Sequence, residues 1–295
     1  MRRPLDNLKL SPTYNHSHEH GRLCLHSTTK GGSQLRRIVV VATALAVLVA
    51  AASAYAATGG FNTYSAKLSF APNKAGSAKA PSALSFTQQY TAGGTNGNRT
   101  APLTDIKTKI YGIVPNSKPF PTCSAAKIGA AKSDAGCPKG ALVATGSITA
   151  LIGPANSPSA QGLPCDPLLH AWNGGGNKVV FFFVDQPPLH TCAGGAIMTG
   201  GVPPFVGTTK VVGKTLVMDT PIPPAVSFPL PGIEGSLTGE TLKWLKLTKK
   251  VNGKTVAFNQ SVACNKGKRP YSVTFTAVMN GQSQSGSASG TQKCS

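Results

Sequence analysis

Acidic residues are scarce in this chain. Asp and Glu together number 9 against 29 Lys and Arg, and charged residues make up only 13% of the 295 positions. The formal net charge of +20 therefore reflects missing acids rather than an abundance of bases. That composition excludes an acidic, solvating disordered chain. Unbroken helical stretches are missing too. With 33 Gly and 23 Pro, nearly every segment long enough for a helix is interrupted, which argues against a helical bundle. Glycine is still far too rare for a collagen-like chain, and 40% hydrophobic residues is too little for a polytopic membrane protein. Recognisable catalytic motifs are also absent. The sequence has no GxxxxGK[ST] phosphate loop. It has no GxSxG elbow, and the Gly/Ser-rich tail at 286–290 carries Ala288 in the central place. The Gly-rich stretch from Trp172 to Asn177 leads into a strand pattern, so it lacks the helix N-terminus that a phosphate cradle needs.

One apolar run stands apart. Ile38 to Ala57 is free of charge and directly follows Arg36 and Arg37. A basic pair, an apolar core and small residues at the end form a signal peptide, with cleavage expected after Ala56 or Ala57. The competing reading is a signal anchor, since such a run can just span a bilayer, with the Arg pair holding the N-terminus inside. Residues 1–37 form a basic leader expected to be disordered. The leader holds His16, His18, His20 and His26, whose spacing can bind metal but reads better as part of an unstructured extension. Residues 58–295 form the exported domain.

Cysteine usage agrees with export. Past the apolar run lie six cysteines: Cys123, Cys137, Cys165, Cys192, Cys264 and Cys294. An even number in an exported chain points to three disulfides. Pairing of nearest neighbours is favoured, because each bridge would then close one local unit. Past the apolar run there is no CxxC or HxxxH spacing, so a structural zinc site is not expected there.

The exported part reads as strands. Thr104 to Val114 places Ile106, Thr108 and Ile110 on one side and Lys107, Lys109 and Tyr111 on the other, the pattern of a half-buried strand. Lys178 to Asp185 is continuously apolar between its charged ends, which predicts a central strand covered on both faces. Further strands are expected at 61–70, 84–90 and 142–152. Hairpins are expected at Gly213-Lys214, Asn252-Gly253 and Asn280-Gly281. Ser124 to Lys132 is the one helical segment. The expected fold is mainly β, an antiparallel sandwich with long Gly/Pro-rich loops and one short helix, bonded by disulfides.

Cys123, then Cys137-Pro138 running into Val143-Ala144-Thr145-Gly146, then Ala171-Trp172-Asn173-Gly174-Gly175 before an apolar strand, resembles uncharacterised secreted domains of actinobacteria. Those carry a Cys pair ending in Cys-Pro and an aromatic-Asn-Gly turn before a core strand. The resemblance covers about 65 residues. It departs at Ala144, where a Gly would be usual after the Val. It implies export and a β fold, and no activity.

Four groups of residues could carry chemistry. Asp166, His170, Asp185 and His190 flank Cys165 and Cys192, and a bridge between those cysteines would bring Asp166 near His190, as for a metal site or the base of a metal-dependent hydrolase. Lys243, Lys246, Lys249, Lys250, Lys254, Lys266, Lys268 and Arg269 form an acid-free basic stretch, suited to an anionic cell-wall polymer or polysaccharide. Nucleic acid is not expected, since interleaved aromatics for stacking are missing apart from Trp244. Trp172 and Trp244 would be stacking platforms in a carbohydrate-binding module, against the plainer reading of core packing. Glu234 and Glu240, six apart around Gly235 and Gly239, read as solvated loop charges. The sequence thus predicts an exported structural or binding protein of the cell envelope or extracellular space, without catalysis or cofactor. Membrane contact is expected only through residues 38–57 if these are uncleaved.

Overall fold

The structure is a computed structural model and describes residues 57–189, 191–192 and 202–295. The leader, the apolar run up to Ala56 and His190 lie outside the described residues. So do the expectations that rest on them.

The chain runs through β1 (Ala57–Gly59), β2 (Asn62–Ala71), β3 (Ser82–Ala83), β4 (Ser85–Gly94), β5 (Leu103–Tyr111) and β6 (Ile113–Pro115), then the helix α1 (Ala125–Ala131). There follow β7 (Leu142–Pro154), β8 (Leu163–Cys165), β9 (Leu168–Gly175), β10 (Lys178–Val184), β11 (Phe205–Val212) and β12 (Thr215–Pro221). A single turn of helix, α2 (Pro224–Ser227), precedes β13 (Ile233–Trp244), β14 (Thr248–Val251), β15 (Lys254–Ala257), β16 (Asn259–Ser261), β17 (Lys268–Met279) and β18 (Gln282–Lys293).

The architecture is mainly antiparallel β, as expected. Most of its core lies on one 13-stranded sheet in the order β1-β2-β4-β13-β7-β9-β10-β11-β12-β5-β17-β18, with β8 added beside β7, and two small sheets, β14-β15 and β3-β16-β6, accompany it. The sheet curls until its two edge regions meet. Phe70 N donates to Gln292 Oε1 at 2.8 Å, and Ser295 N donates to Asn73 O at 3.1 Å. A nearly closed sheet hides the strand edges that an open one would expose. The expected hairpins form where the turn residues allow them. Asn252 and Gly253 have φ of 49° and 75°, and Asn280 and Gly281 have 52° and 72°, the left-handed pair that a two-residue hairpin turn requires.

Strand alternation fills the inside. On β17, Tyr271, Val273, Phe275 and Ala277 face in, and on β2, Tyr64, Ala66, Leu68 and Phe70 do so. β10 is covered on both faces, as its sequence predicts. Val179, Phe181 and Phe183 join the interior core, while Val180 and Phe182 join an outer cluster with Cys123, Ile128 and Trp172 under α1. The helix is capped by Ser124, whose side chain accepts from Lys127 N, and ends on Lys132 in the left-handed region. The disulfides are Cys123–Cys137, Cys165–Cys192 and Cys264–Cys294, with sequence separations of 14, 27 and 30. This is the nearest-neighbour pairing, and three disulfides are consistent with an oxidising, extracellular location. Among the described residues no helix is long and apolar enough to cross a membrane.

Candidate functional site

The interior is packed at one end and hollow at the other. Near the C-terminal end of β13, Phe86 stacks on Trp244 with ring centroids 5.3 Å apart, and Phe120 meets Phe258 edge-on at 5.5 Å. Toward the N-terminal end of β13 a cavity opens, with about 90 Å³ for the centres of water-sized molecules. That is room for several waters or for a short apolar chain. Its walls are mostly hydrocarbon, including Ile148 and Ile152 of β7, Phe181 and Phe183 of β10, and Leu237 of β13. Across the end lies the segment around α2, where Ala225, Val226, Ser227 and Pro229 line the cavity as a lid. The Ser227 hydroxyl donates to the Leu103 carbonyl of β5. The lid can lie close because position 235 on β13 is Gly: a Cβ there would fall 2.3 Å from the Val226 carbonyl oxygen.

Polar groups gather at the inner end of this cavity. Glu240 pairs across the sheet with Tyr90 on β4 and Ile148 on β7, and faces inward with Leu242 and Trp244 of its own strand. Gln88 Nε2 donates to Glu240 Oε1 at 2.6 Å, and Trp244 Nε1 donates to Gln88 Oε1 at 3.0 Å. An indole N–H can only donate, so the Gln88 amide is fixed with its NH2 toward the carboxylate. The Tyr90 and Thr108 hydroxyls bond each other at 2.8 Å. Burial pushes the Glu240 carboxyl up to about 7, with the Gln88 hydrogen bond pulling the other way. Burial also raises Tyr90 far above the ordinary phenol range, helped by the nearby Glu240 charge.

The sequence reading of Glu240 is thus corrected. It is an inward side chain of a central strand and not a solvated loop charge. Glu234, at the start of the same strand, is shielded as well. Its carboxylate lies 4.0 Å from the guanidinium of buried Arg99. Arg99 donates to Ser157 Oγ at 3.1 Å and to the carbonyls of Glu234 at 3.1 Å, Gly153 at 3.0 Å and Pro154. It ties the loop after β4 to the lid end of β7 and β13.

Of the four expected metal or hydrolase residues, His190 lies outside the described residues, and His170 and Asp166 meet other partners. His170 lies on the outer face of β9, with Nδ1 2.7 Å from Asp134 Oδ2, and Trp172 Nε1 donates to the same oxygen at 3.1 Å. Burial works against the Asp134 charge, but these hydrogen bonds and the His170 ring outweigh it, and the carboxyl sits below its ordinary value. Sequence reasoning missed Asp134, whose place in the Cys123–Cys137 loop was the available signal. Asp166 accepts from Ala150 N at 3.2 Å, and Asp185 is half-buried at the end of β10. Among the described residues no three His, Cys, Asp or Glu side chains gather as a metal centre.

Of the basic stretch, Lys243, Lys246, Lys249, Lys250, Lys254, Lys266 and Lys268 are exposed. Arg269 is the exception at 1% exposure. Its guanidinium donates to Ser261 Oγ at 2.5 Å and lies over the Phe70 ring at 5.0 Å. Burial lowers it to about 10. A side chain sealed in this way cannot meet a surface polymer. Trp172 and Trp244 are both buried, so neither presents a face for sugar stacking.

No family model, curated protein or solved structure matches the chain.

Proposed function

We propose that this protein is an exported, non-catalytic binding protein of the cell envelope or extracellular space that encloses an apolar ligand at the lidded end of its β-sheet. The carrying observation is the cavity under α2, apolar except for the Gln88, Tyr90, Thr108 and Glu240 cluster at its inner end and two hydroxyls, Thr220 and Ser227, elsewhere in its lining. A mostly apolar pocket with a few convergent polar groups is the usual form of a small-molecule site. Leu163, which pairs with Ile152 of the cavity wall, and Phe228 and Leu230 just after α2 are all exposed and give an arriving ligand an apolar rim at this end. Export is supported by the three disulfides together with the apolar run that follows Arg36 and Arg37.

The test is a titration with the neutral apolar dye N-phenyl-1-naphthylamine. Saturable binding is expected, weakened about tenfold or more when Ile148→Phe or Ala150→Phe fills the cavity. Absence of saturable binding, or binding indifferent to both folded variants, refutes the reading.

The opposite end supports a second role in the same protein. There the exposed lysines of the β14–β15 hairpin and its surroundings form a cationic face suited to anionic wall polymer. Retention on isolated cell wall should fall steeply as salt rises. Equal retention at low and high salt would remove that role.

A further inference from the structure

We propose that the cavity takes an amphiphile whose apolar chain ends in a hydrogen-bond donor, an alcohol or an amine, received by Glu240. This rests on the cavity reading above and adds the head group.

Most donors and acceptors inside the cavity already have partners. The Gln88 amide is used at both ends, by Trp244 and by Glu240. Tyr90 and Thr108 share one hydrogen bond, which uses one of their two hydroxyl hydrogens. The Ser227 hydroxyl is donated to Leu103 O. Beside the Thr220 hydroxyl and one hydrogen of the Tyr90–Thr108 pair, what remains is acceptor capacity on Glu240, for which Gln88 is the one donor among the described residues. An ionised carboxylate offers about four lone-pair sites, so one donor leaves it under-supplied in an apolar enclosure. A ligand hydroxyl or ammonium meets that need.

An anionic head group does not. Among the described residues the lining holds no Lys, Arg or His. A second carboxylate would stand beside Glu240 with no base to offset it. The elevated protonation of Glu240 fits the same account, since the empty site holds its charge poorly and a donor would restore it.

The experiment uses the full chain and competition against bound N-phenyl-1-naphthylamine at about pH 8, where Glu240 is ionised. The competitors are n-octanol, n-octylamine and n-octanoate. The alcohol and the amine are expected to displace the dye at concentrations about tenfold or more below the octanoate. Glu240→Leu is expected to erase that ranking. Glu240→Gln, isosteric and uncharged, is expected to keep alcohol binding and weaken the amine. Equal displacement by all three, or a preference for octanoate, overturns the head-group inference while dye binding still supports the cavity. Failure of the dye itself to bind overturns the cavity reading first.

Discussion

Replacing Glu240 by Gln should stabilise the protein at mildly alkaline pH and leave it unchanged in acid. Glu240 moves from an ordinary value of 4.5 to about 7 on folding, because burial disfavours its charge more than Gln88 supports it. A raised carboxyl means that the native state prefers the neutral form. Its contribution to stability is full below about pH 4.5, is lost as pH rises to about 7, and stays lost above that. The shift corresponds to about 3 kcal/mol at roughly 1.4 kcal/mol per pH unit. Gln mimics the protonated acid, keeping an oxygen to accept from Gln88 and offering an NH2 where the acid has O–H. Urea denaturation with disulfides intact, at about pH 4 and about pH 8, would read the difference between the two proteins. Equal stability in acid and a gain of about 3 kcal/mol for the variant in base are expected. Asp105, raised to about 6 by burial and by neighbouring Asp219, titrates in both proteins and drops out of the comparison. Parity at both pH values, or a loss for the variant in base, would refute the claim that Glu240 is held against its charge.

Arg99→Met should cost about 3 kcal/mol, because four acceptors at the lid end lose the guanidinium together, with only Pro154 O keeping the Ser157 hydroxyl, and Glu234 loses its nearby cation. Thermal unfolding checks this, and a cost near zero would mean that the carbonyls find other donors. Gly235→Ala should push the lid off β13 and cost about 2 kcal/mol, since the added carbon meets the Val226 carbonyl. Hydrogen exchange at the Ser227 and Phe228 amides, which bond Pro223 O and Pro224 O, should quicken; unchanged exchange there would show that the lid tolerates the methyl.

Much of the fold was legible because its signals are local. The Asn-Gly pairs at 252–253 and 280–281 fix hairpins through their own backbone preferences, and Ser124 caps its helix three residues away. The apolar run of β10 announced its double burial. β13 was not legible. Its alternation is broken by Gly235 and Gly239 and by a register shift between Leu237 and Gly239, so it read as loop. Arg269 looked like its basic neighbours, yet inward alternation on β17 buries it while Lys268 stays exposed.

The amino-acid sequence by itself determined the balance of charge through composition, and the β class and the turns through residues near one another in the chain, while it favoured the nearest-neighbour disulfides that the structure shows. Tertiary structure alone decided which polar side chains were enclosed. Glu240 meets Gln88 across 152 positions, and His170 meets Asp134 across 36. The closing of the sheet gave Glu240 and Gln88 a shared, poorly solvated place inside, on which the proposed binding depends, while the loop closed by Cys123–Cys137 brings Asp134 to His170 on the outer face of β9.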